Sequence, residues 1–161
     1  MSTAEILEKA KELFFEAMVS GYANPKTKKT TLEGLPGSKV ILFEKDEFKV
    51  TDMYFTYLGS DLSSGMTIIH YQNKPIWTMH YEGWYKEEVI PFLKEVLHIA
   101  YQKGYFSGGR GINPFQSNSF LYINKFERNE FEDFKGREEI YSGDGRFLGY
   151  HEYFGESLLS R

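Results

Sequence analysis

The side chains of this sequence that could do chemistry are four histidines, a few acidic residues and one arginine set among glycines. The histidines are His70, His80, His98 and His151. A neutral imidazole can ligate a metal or move a proton near neutral pH. No two of them stand at i, i+4 on a helix or i, i+2 on a strand, so no metal site is expected. A Glu/His pair could serve as general acid and base in a small hydrolase or isomerase. It would join His80 or His151 to a carboxylate such as Glu138, Glu139 or Glu152. Those three glutamates fall in strand-like runs and are expected to face solvent. Asp52 precedes an aromatic strand and could pair with Arg110. Gly108-Gly109-Arg110-Gly111 does not follow a strand and open a helix with nucleotide-binding spacing, so it reads as a mobile connector. No Gly-x-Ser-x-Gly elbow, phosphate loop or His-Glu-x-x-His is present. The chain has no Cys, which removes thiolate chemistry. No cofactor is expected, and a catalytic role ranks below a binding role.

Aromatic residues are the stronger signal, with 14 Phe, 12 Tyr and 2 Trp, or 17% of 161 residues. Tyr and Trp combine an apolar body with a hydrogen-bonding tip, which suits pocket walls. Tyr54, Trp77, His80, Tyr81, Arg110 and Tyr153 are the candidate lining of a site for a small molecule or peptide.

Those residues need elements to position them. Ser2 and Glu5 have capping-box spacing, and Ile6, Leu7, Ala10, Leu13, Phe14, Ala17 and Met18 repeat as one helical stripe. Gly21 is expected to close this helix in a left-handed cap. Residues 22–38 carry Pro and Gly breakers and read as a loop. Strand-like runs follow at Lys39–Phe43, Glu47–Val50, Asp52–Leu58, Met66–Tyr71 and Lys74–Tyr81. A second helix spans about residues 87–103, with Pro91 in its first turn and Gly104 after it. Three more strands are predicted at Ser119–Phe126, Gly136–Tyr141 and Arg146–Phe154, the last two joined by Gly143-Asp144-Gly145. Residues 52–83 and 119–155 resemble one another: Gly65 matches Gly136, and Tyr81 and Gly83 match Tyr153 and Gly155.

Strands in runs, not alternating with helices, indicate an α+β fold. The expectation is one domain over residues 1–161. It holds a curved antiparallel sheet of two similar three-stranded meanders, packed against an N-terminal helix and a central helix. Trp77, Met79 and Tyr81 should face the helices. Apolar residues on both faces of other strands call for a second cover: a loop, a ligand or another copy of the chain in a homodimer.

Composition narrows the classes further. Net charge is −4 with signs mixed, so no nucleic-acid partner is expected. The one basic cluster, Lys26, Lys28 and Lys29, reads as a solvated loop. No apolar run approaches membrane-spanning length, and the N-terminus has no signal-peptide pattern, which predicts a cytoplasmic protein.

The order of motifs resembles a bacterial domain-of-unknown-function family, DUF5680. The motifs are Gly21-Tyr22-Ala23, Pro36-Gly37-Ser38, Asp52-Met53-Tyr54-Phe55, Pro75-Ile76-Trp77-Thr78-Met79-His80-Tyr81-Glu82-Gly83, Arg110-Gly111, Gly136–Glu139 and Tyr153–Gly155. Pro-x-Trp-x-Met-x-Tyr-x-Gly is the most specific of them. The resemblance spans roughly residues 10–156. It implies a small cytoplasmic protein with a sensor or ligand-binding role, since some members carry the domain behind a helix-turn-helix segment. It implies no activity. Ile112 stands where the family pattern leads one to expect proline, and His80 where it leads one to expect Asn, so no polar site carries over at those positions.

Overall fold

The structure, a computed structural model, describes residues 1–117 and 119–159. Helix α1 (Thr3–Ser20) starts where the capping box places it. The Ser2 hydroxyl accepts from the Glu5 N–H at 3.3 Å, and the Glu5 carboxylate accepts from the Ser2 N–H at 2.6 Å. Gly21 ends the helix without a left-handed turn, since its φ is −96°. Space explains the glycine instead: a Cβ there would lie 2.7 Å from the Ala17 carbonyl oxygen. Helix α2 (Ile90–Lys103) follows one 3-10 turn at Glu87–Val89, carries Pro91 in its first turn, and ends on Gly104 at φ 66°.

Eight strands form one antiparallel sheet: β1 (Lys39–Lys45), β2 (Phe48–Thr56), β3 (Leu62–Tyr71), β4 (Lys74–Tyr85), β5 (Phe115–Ser117), β6 (Phe120–Glu130), β7 (Asp133–Ser142) and β8 (Phe147–Ser157). Their spatial order is β1-β2-β3-β4-β8-β7-β6-β5. The fold is α+β, an open sheet with two helices, as strand runs require. The two short runs on either side of Thr51 are one strand, β2. The brief edge strand β5 carries too little periodicity to be seen in sequence.

Alternation places Trp77, Met79 and Tyr81 on the helix-covered face, where Trp77 is fully buried. Trp77 stacks on Phe131 and Phe134, with ring centroids at 4.9 and 5.3 Å, and its indole N–H donates to the Phe131 carbonyl at 2.7 Å. Phe14 of α1 meets the same cluster, edge-on to Phe131 and tilted against Trp77. Most of the aromatic content is therefore core.

Large rings can lie over a sheet only where the neighbouring strand gives way. The inner face supplies glycines for this. Gly65 is the register partner of Tyr81, and Gly136 that of Tyr153. A Cβ on Gly65 would stand 2.7 Å from the Tyr81 hydroxyl and 2.6 Å from the Tyr54 Cβ. A Cβ on Gly136 would collide with the Tyr153 hydroxyl and come within 2.6 Å of the Lys125 carbonyl oxygen. Gly155 makes way for the Phe134 ring in the same manner.

The outer face carries exposed apolar residues, Phe55 and Phe154 among them, together with charge. Its centre is a charge ladder in which Arg137 donates to Glu139 at 2.7 Å and to Glu152 at 3.0 Å. The same guanidinium lies 3.9 Å from the Tyr150 ring centroid. These groups satisfy one another.

The Gly65→Ala variant is expected to lose about 1–3 kcal/mol by overpacking, read as a lower denaturant midpoint at unchanged slope. Gly143→Ala, whose new Cβ would meet only the Ser119 carbonyl at 3.5 Å, should stay within about 0.5 kcal/mol of the parent. Equal losses in the two variants would show that the tyrosines do not need the vacancy.

Candidate functional site

The run Gly108–Gly111 is a buried segment and not the mobile connector its composition suggests. Gly108 and Gly109 take φ of 62° and 69°, a region open to glycine, and a side chain at Gly108 would enter the Tyr153 ring. Gly111 fits against Val96 and Tyr122. Tyr101 donates to the Gly109 carbonyl at 2.9 Å, and the Gly111 N–H donates to the Tyr122 hydroxyl oxygen at 2.9 Å. Asn124 donates to the carbonyls of Ser107 and Gly111, both at 3.0 Å. The result is an arginine carried into the layer between helices and sheet.

Arg110 is 6% exposed and its Nη2 donates to Glu138, not to Asp52. Glu138 has no solvent exposure, which overturns the solvent-facing expectation for this residue. Strand β7 turns Glu138 inward and Arg137 and Glu139 outward by simple alternation. Its carboxylate also accepts from Tyr85 at 2.8 Å and from Tyr122 at 2.5 Å. Burial alone would raise its pKa. The Arg110 charge and hydrogen bond, the nearby His151 and the Tyr122 donor outweigh burial and hold the carboxyl below its ordinary range.

His151 lies on β8 beside this pair. Its Nε2 is 3.0 Å from the Ser63 hydroxyl, and its Nδ1 is 4.0 Å from the nearer Glu138 oxygen. Burial first, and then the Arg110 charge, push the imidazole down to about 4, against the pull of Glu138. The ring is neutral at pH 7. A carboxylate can only accept, so the tautomer with the proton on Nδ1 is favoured, leaving Nε2 to accept from Ser63. Neither His151 Nδ1 nor Arg110 Nε has a hydrogen-bond partner among the described residues, although both are buried.

Asp52 closes the far side. It is 5% exposed, and one of its oxygens accepts from Tyr81 at 2.6 Å and Thr67 at 3.2 Å. Burial raises its pKa despite those two donors. Between Asp52, Arg110 and His151 lies a cavity of about 50 Å³, whose remaining wall includes Tyr22, Tyr54, Ser63 and Tyr81 and whose apolar end is formed by Phe14, Met18 and Met79. An outer depression of about 200 Å³ shares Tyr22, Tyr54, Ser63 and His151 with it and is rimmed by Lys29, Lys39 and Lys94.

Of the residues singled out from sequence, Tyr54, Tyr81 and Arg110 meet at this cavity. Trp77 and Tyr153 are not among its lining residues. Trp77 belongs to the aromatic core, and Tyr153 donates its hydroxyl to Asn124 at 2.5 Å. His80 is on the outer face, stacked on Phe154 at 4.9 Å. Glu152 is outside as well, on Arg137. Ser63, Thr67, Lys39 and Lys94 carried no signal in the sequence, Tyr22 stood out only within a motif, and Lys29 read as part of a solvated loop. Only the inward alternation along β3, which aligns Ser63, Gly65 and Thr67, could have pointed to two of them.

The arrangement leaves buried polar atoms of Arg110 and His151 without partners among the described residues, beside a cavity whose other end is apolar. No group of three or more metal-ligating side chains occurs among the described residues. No described helix is long and apolar enough to cross a membrane.

A family model described as a domain of unknown function, DUF5680, matches residues 55–157. The chain belongs to the DUF5680 family. The matched stretch contains Ser63, Tyr81, Arg110, Glu138 and His151, whereas Tyr22, Lys29, Lys39, Asp52 and Tyr54 precede it. No curated protein and no solved structure matches the chain.

Glu138→Gln strips the charge that compensates buried Arg110, and a loss of about 3–5 kcal/mol is expected in denaturant unfolding. His151 should make stability depend on acid. Between pH 6.5 and about 4 the unfolded chain binds a proton that the folded chain refuses, so stability falls as pH drops through that window, by about 3 kcal/mol in all. The low pKa of Glu138 adds a further loss at lower pH. The raised value of Asp52 acts with the opposite sign above the ordinary carboxylate range. His151→Gln should flatten the slope between pH 6.5 and 4.5. An imidazole seen by NMR to titrate near 6.5 would contradict the burial argument.

Proposed function

We propose that this protein is a small-molecule binding module of the sensor type, acting without catalysis, with its site in the layer between helices and sheet. The observation that carries this reading is the cavity whose wall includes two buried donors, Arg110 Nε and His151 Nδ1, without partners. A buried donor left unpaired costs about 1–3 kcal/mol, so native structures keep few of them. A bound molecule that accepts from them recovers this cost. The size of the cavity favours a small molecule over a peptide.

The reading extends to architecture. The sheet is taken as two similar three-stranded meanders, β2-β3-β4 and β6-β7-β8, meeting at β4 and β8. In support, Tyr81 and Tyr153 are register partners, each lies opposite a glycine, and their hydroxyls go to Asp52 and Asn124 on the corresponding outer strands. Only the first of these two positions borders the cavity.

A second reading, a small hydrolase, is favoured by one observation: Ser63, His151 and Glu138 stand in the order nucleophile, base and acid, with 3.0 Å between the first two. It ranks lower for two reasons. Glu138 is 4.0 Å from the ring and already occupied by Arg110, Tyr85 and Tyr122. A base held near 4 also takes a serine proton poorly.

A thermal-shift screen against a metabolite library tests the two together. A ligand at 100 times its Kd should add about 2.7 kcal/mol, or roughly 5–10 °C in Tm for a domain of this size. Ser63→Leu, which fills the shared wall of the cavity, should abolish the shift. A screen with no stabilising compound overturns the binding reading. Ester hydrolysis that disappears in both Ser63→Ala and His151→Ala would establish the hydrolase in its place.

A further inference from the structure

Three lysines rim the outer depression, and Asp61 is the one carboxylate among its described lining residues. The protein carries a net charge of −4, and several lysines elsewhere hold carboxylates, among them Lys45 on Glu16 at 2.8 Å, Lys49 on Glu44 at 3.1 Å and Lys86 on Asp61 at 2.9 Å. Lys29, Lys39 and Lys94 have no carboxylate within ion-pair distance among the described residues, although all three rim the same depression. They come from separate elements: the loop after α1, the start of β1 and the middle of α2. Two tyrosines draw them together. The Lys29 and Lys39 ammonium groups lie 5.2 and 5.5 Å from the Tyr54 ring centroid, and that of Lys94 lies 5.0 Å from the Tyr22 centroid. The two rings meet edge to face at 6.2 Å. Lys39 has one hydrogen bond, to the Thr56 hydroxyl at 2.8 Å.

Three ammonium groups gathered over two rings repel one another. Lys94 shows this: burial first and then the Lys29 charge lower its pKa. The rings recover part of the cost, since a cation over an aromatic face is worth about 0.5–1 kcal/mol at an exposed site. An anion placed among them recovers more, and low-dielectric walls focus their field on the cavity mouth. Behind the mouth the wall changes to tyrosine, serine, the neutral His151, Arg110 and an Asp52 already held by Tyr81 and Thr67, and then to Phe14, Met18 and Met79. That sequence of environments, cationic, then hydrogen-bonding, then apolar, fits a molecule with one charged end.

We infer that the ligand is a small organic anion, with a carboxylate or phosphate held by Lys29, Lys39 and Lys94 and an uncharged body directed past Tyr54 toward Ser63 and His151. This rests on the binding reading above and narrows it to a chemical class. Lysine ammonium groups act as point charges and accept either anion, while the body supplies selectivity. The inner cavity, at about 50 Å³, is well below the roughly 150 Å³ that a benzene-sized guest needs, so a ring would occupy the outer depression of about 200 Å³.

The test is an NMR titration of the full chain with benzoate, phenyl phosphate, inorganic phosphate and benzamide. The same titrations are run on a variant carrying Lys29→Gln, Lys39→Gln and Lys94→Gln. None of these lysines is in the core, so the variant should fold, and its amide spectrum reports whether it does. Benzoate and phenyl phosphate should shift the Ser63 and Lys39 amides and bind at least tenfold more tightly than benzamide and inorganic phosphate. The triple variant should weaken both at least tenfold and reduce their salt dependence. The tighter of the two identifies which anionic group the mouth prefers. Benzamide binding as tightly as benzoate overturns the anionic class and leaves the cavity a binding site. Inorganic phosphate binding as tightly as phenyl phosphate overturns the entry of the body. If no probe shifts these amides, the inference falls, and a library screen that also finds nothing removes the binding reading with it.

Discussion

A carboxylate cut off from water as completely as that of Glu138 must be held by donors, and the positions of those donors dictate much of the surrounding structure. The penalty for burying an ion is several kcal/mol even after relaxation. Arg110, Tyr85 and Tyr122 meet it here, each from a different part of the chain. Arg110 can arrive only on a segment thin enough to pass between α2 and the sheet, which accounts for Gly108, Gly109 and Gly111 around it. Tyr85 and Tyr122 must reach inward from β4 and β6, which fixes the registers of both strands against their neighbours. Burial first, and then the same positive charge that satisfies Glu138, keep His151 neutral. One ion pair thus shapes the path of a loop and two strand registers.

Much of the fold was legible in the sequence because it rests on local rules. The capping box at Ser2 and Glu5, the helical stripe from Ile6 to Met18, Pro91 in a first turn and Gly104 after a last one all act within a few residues. The inward side of β4 followed from alternation alone. The candidate site was legible only in part. Tyr54, Tyr81 and Arg110 were identifiable as side chains suited to a pocket. Their meeting depends on pairings across the whole sheet, which local patterns do not encode. Glu138 was misread because Gly136 to Glu139 mixes charged residues on both sides of a strand, and charge suggests solvent. Its partner, Arg110, sits in a glycine run whose composition signals flexibility when its cause is tight packing. Lys29 looked like part of a solvated loop, and only the position of the Tyr54 ring gives it a role.

The glycines also explain how so many aromatic residues share one domain. A sheet face filled with large side chains at every inward position would splay apart from its helices. Leaving Gly65, Gly136 and Gly155 bare lets Tyr81, Tyr153 and Phe134 lie across the strands. It also aims the two tyrosine hydroxyls sideways, onto Asp52 and Asn124, and not upward into the helices. Polar chemistry can then exist inside an otherwise apolar layer. The family match includes these glycines and the Glu138 pair but not α1, β1 or most of β2, so the matched portion supplies the floor of the cavity and the preceding residues supply most of its cationic rim.

Strands β4 and β8 lie side by side at the centre of the sheet, yet α2 and three other strands separate them in the chain. Their pairing closes a long loop before any contact offsets the lost chain entropy. His151 and Tyr81 belong to these two strands, and Glu138 is held against them. The cavity therefore has no existence in a half-assembled chain: either half can form its own hairpins, but the polar centre is created in the step that joins them. A nascent or partly unfolded molecule would present the lysines without the chamber behind them, so the chamber is a property of the fully assembled domain alone.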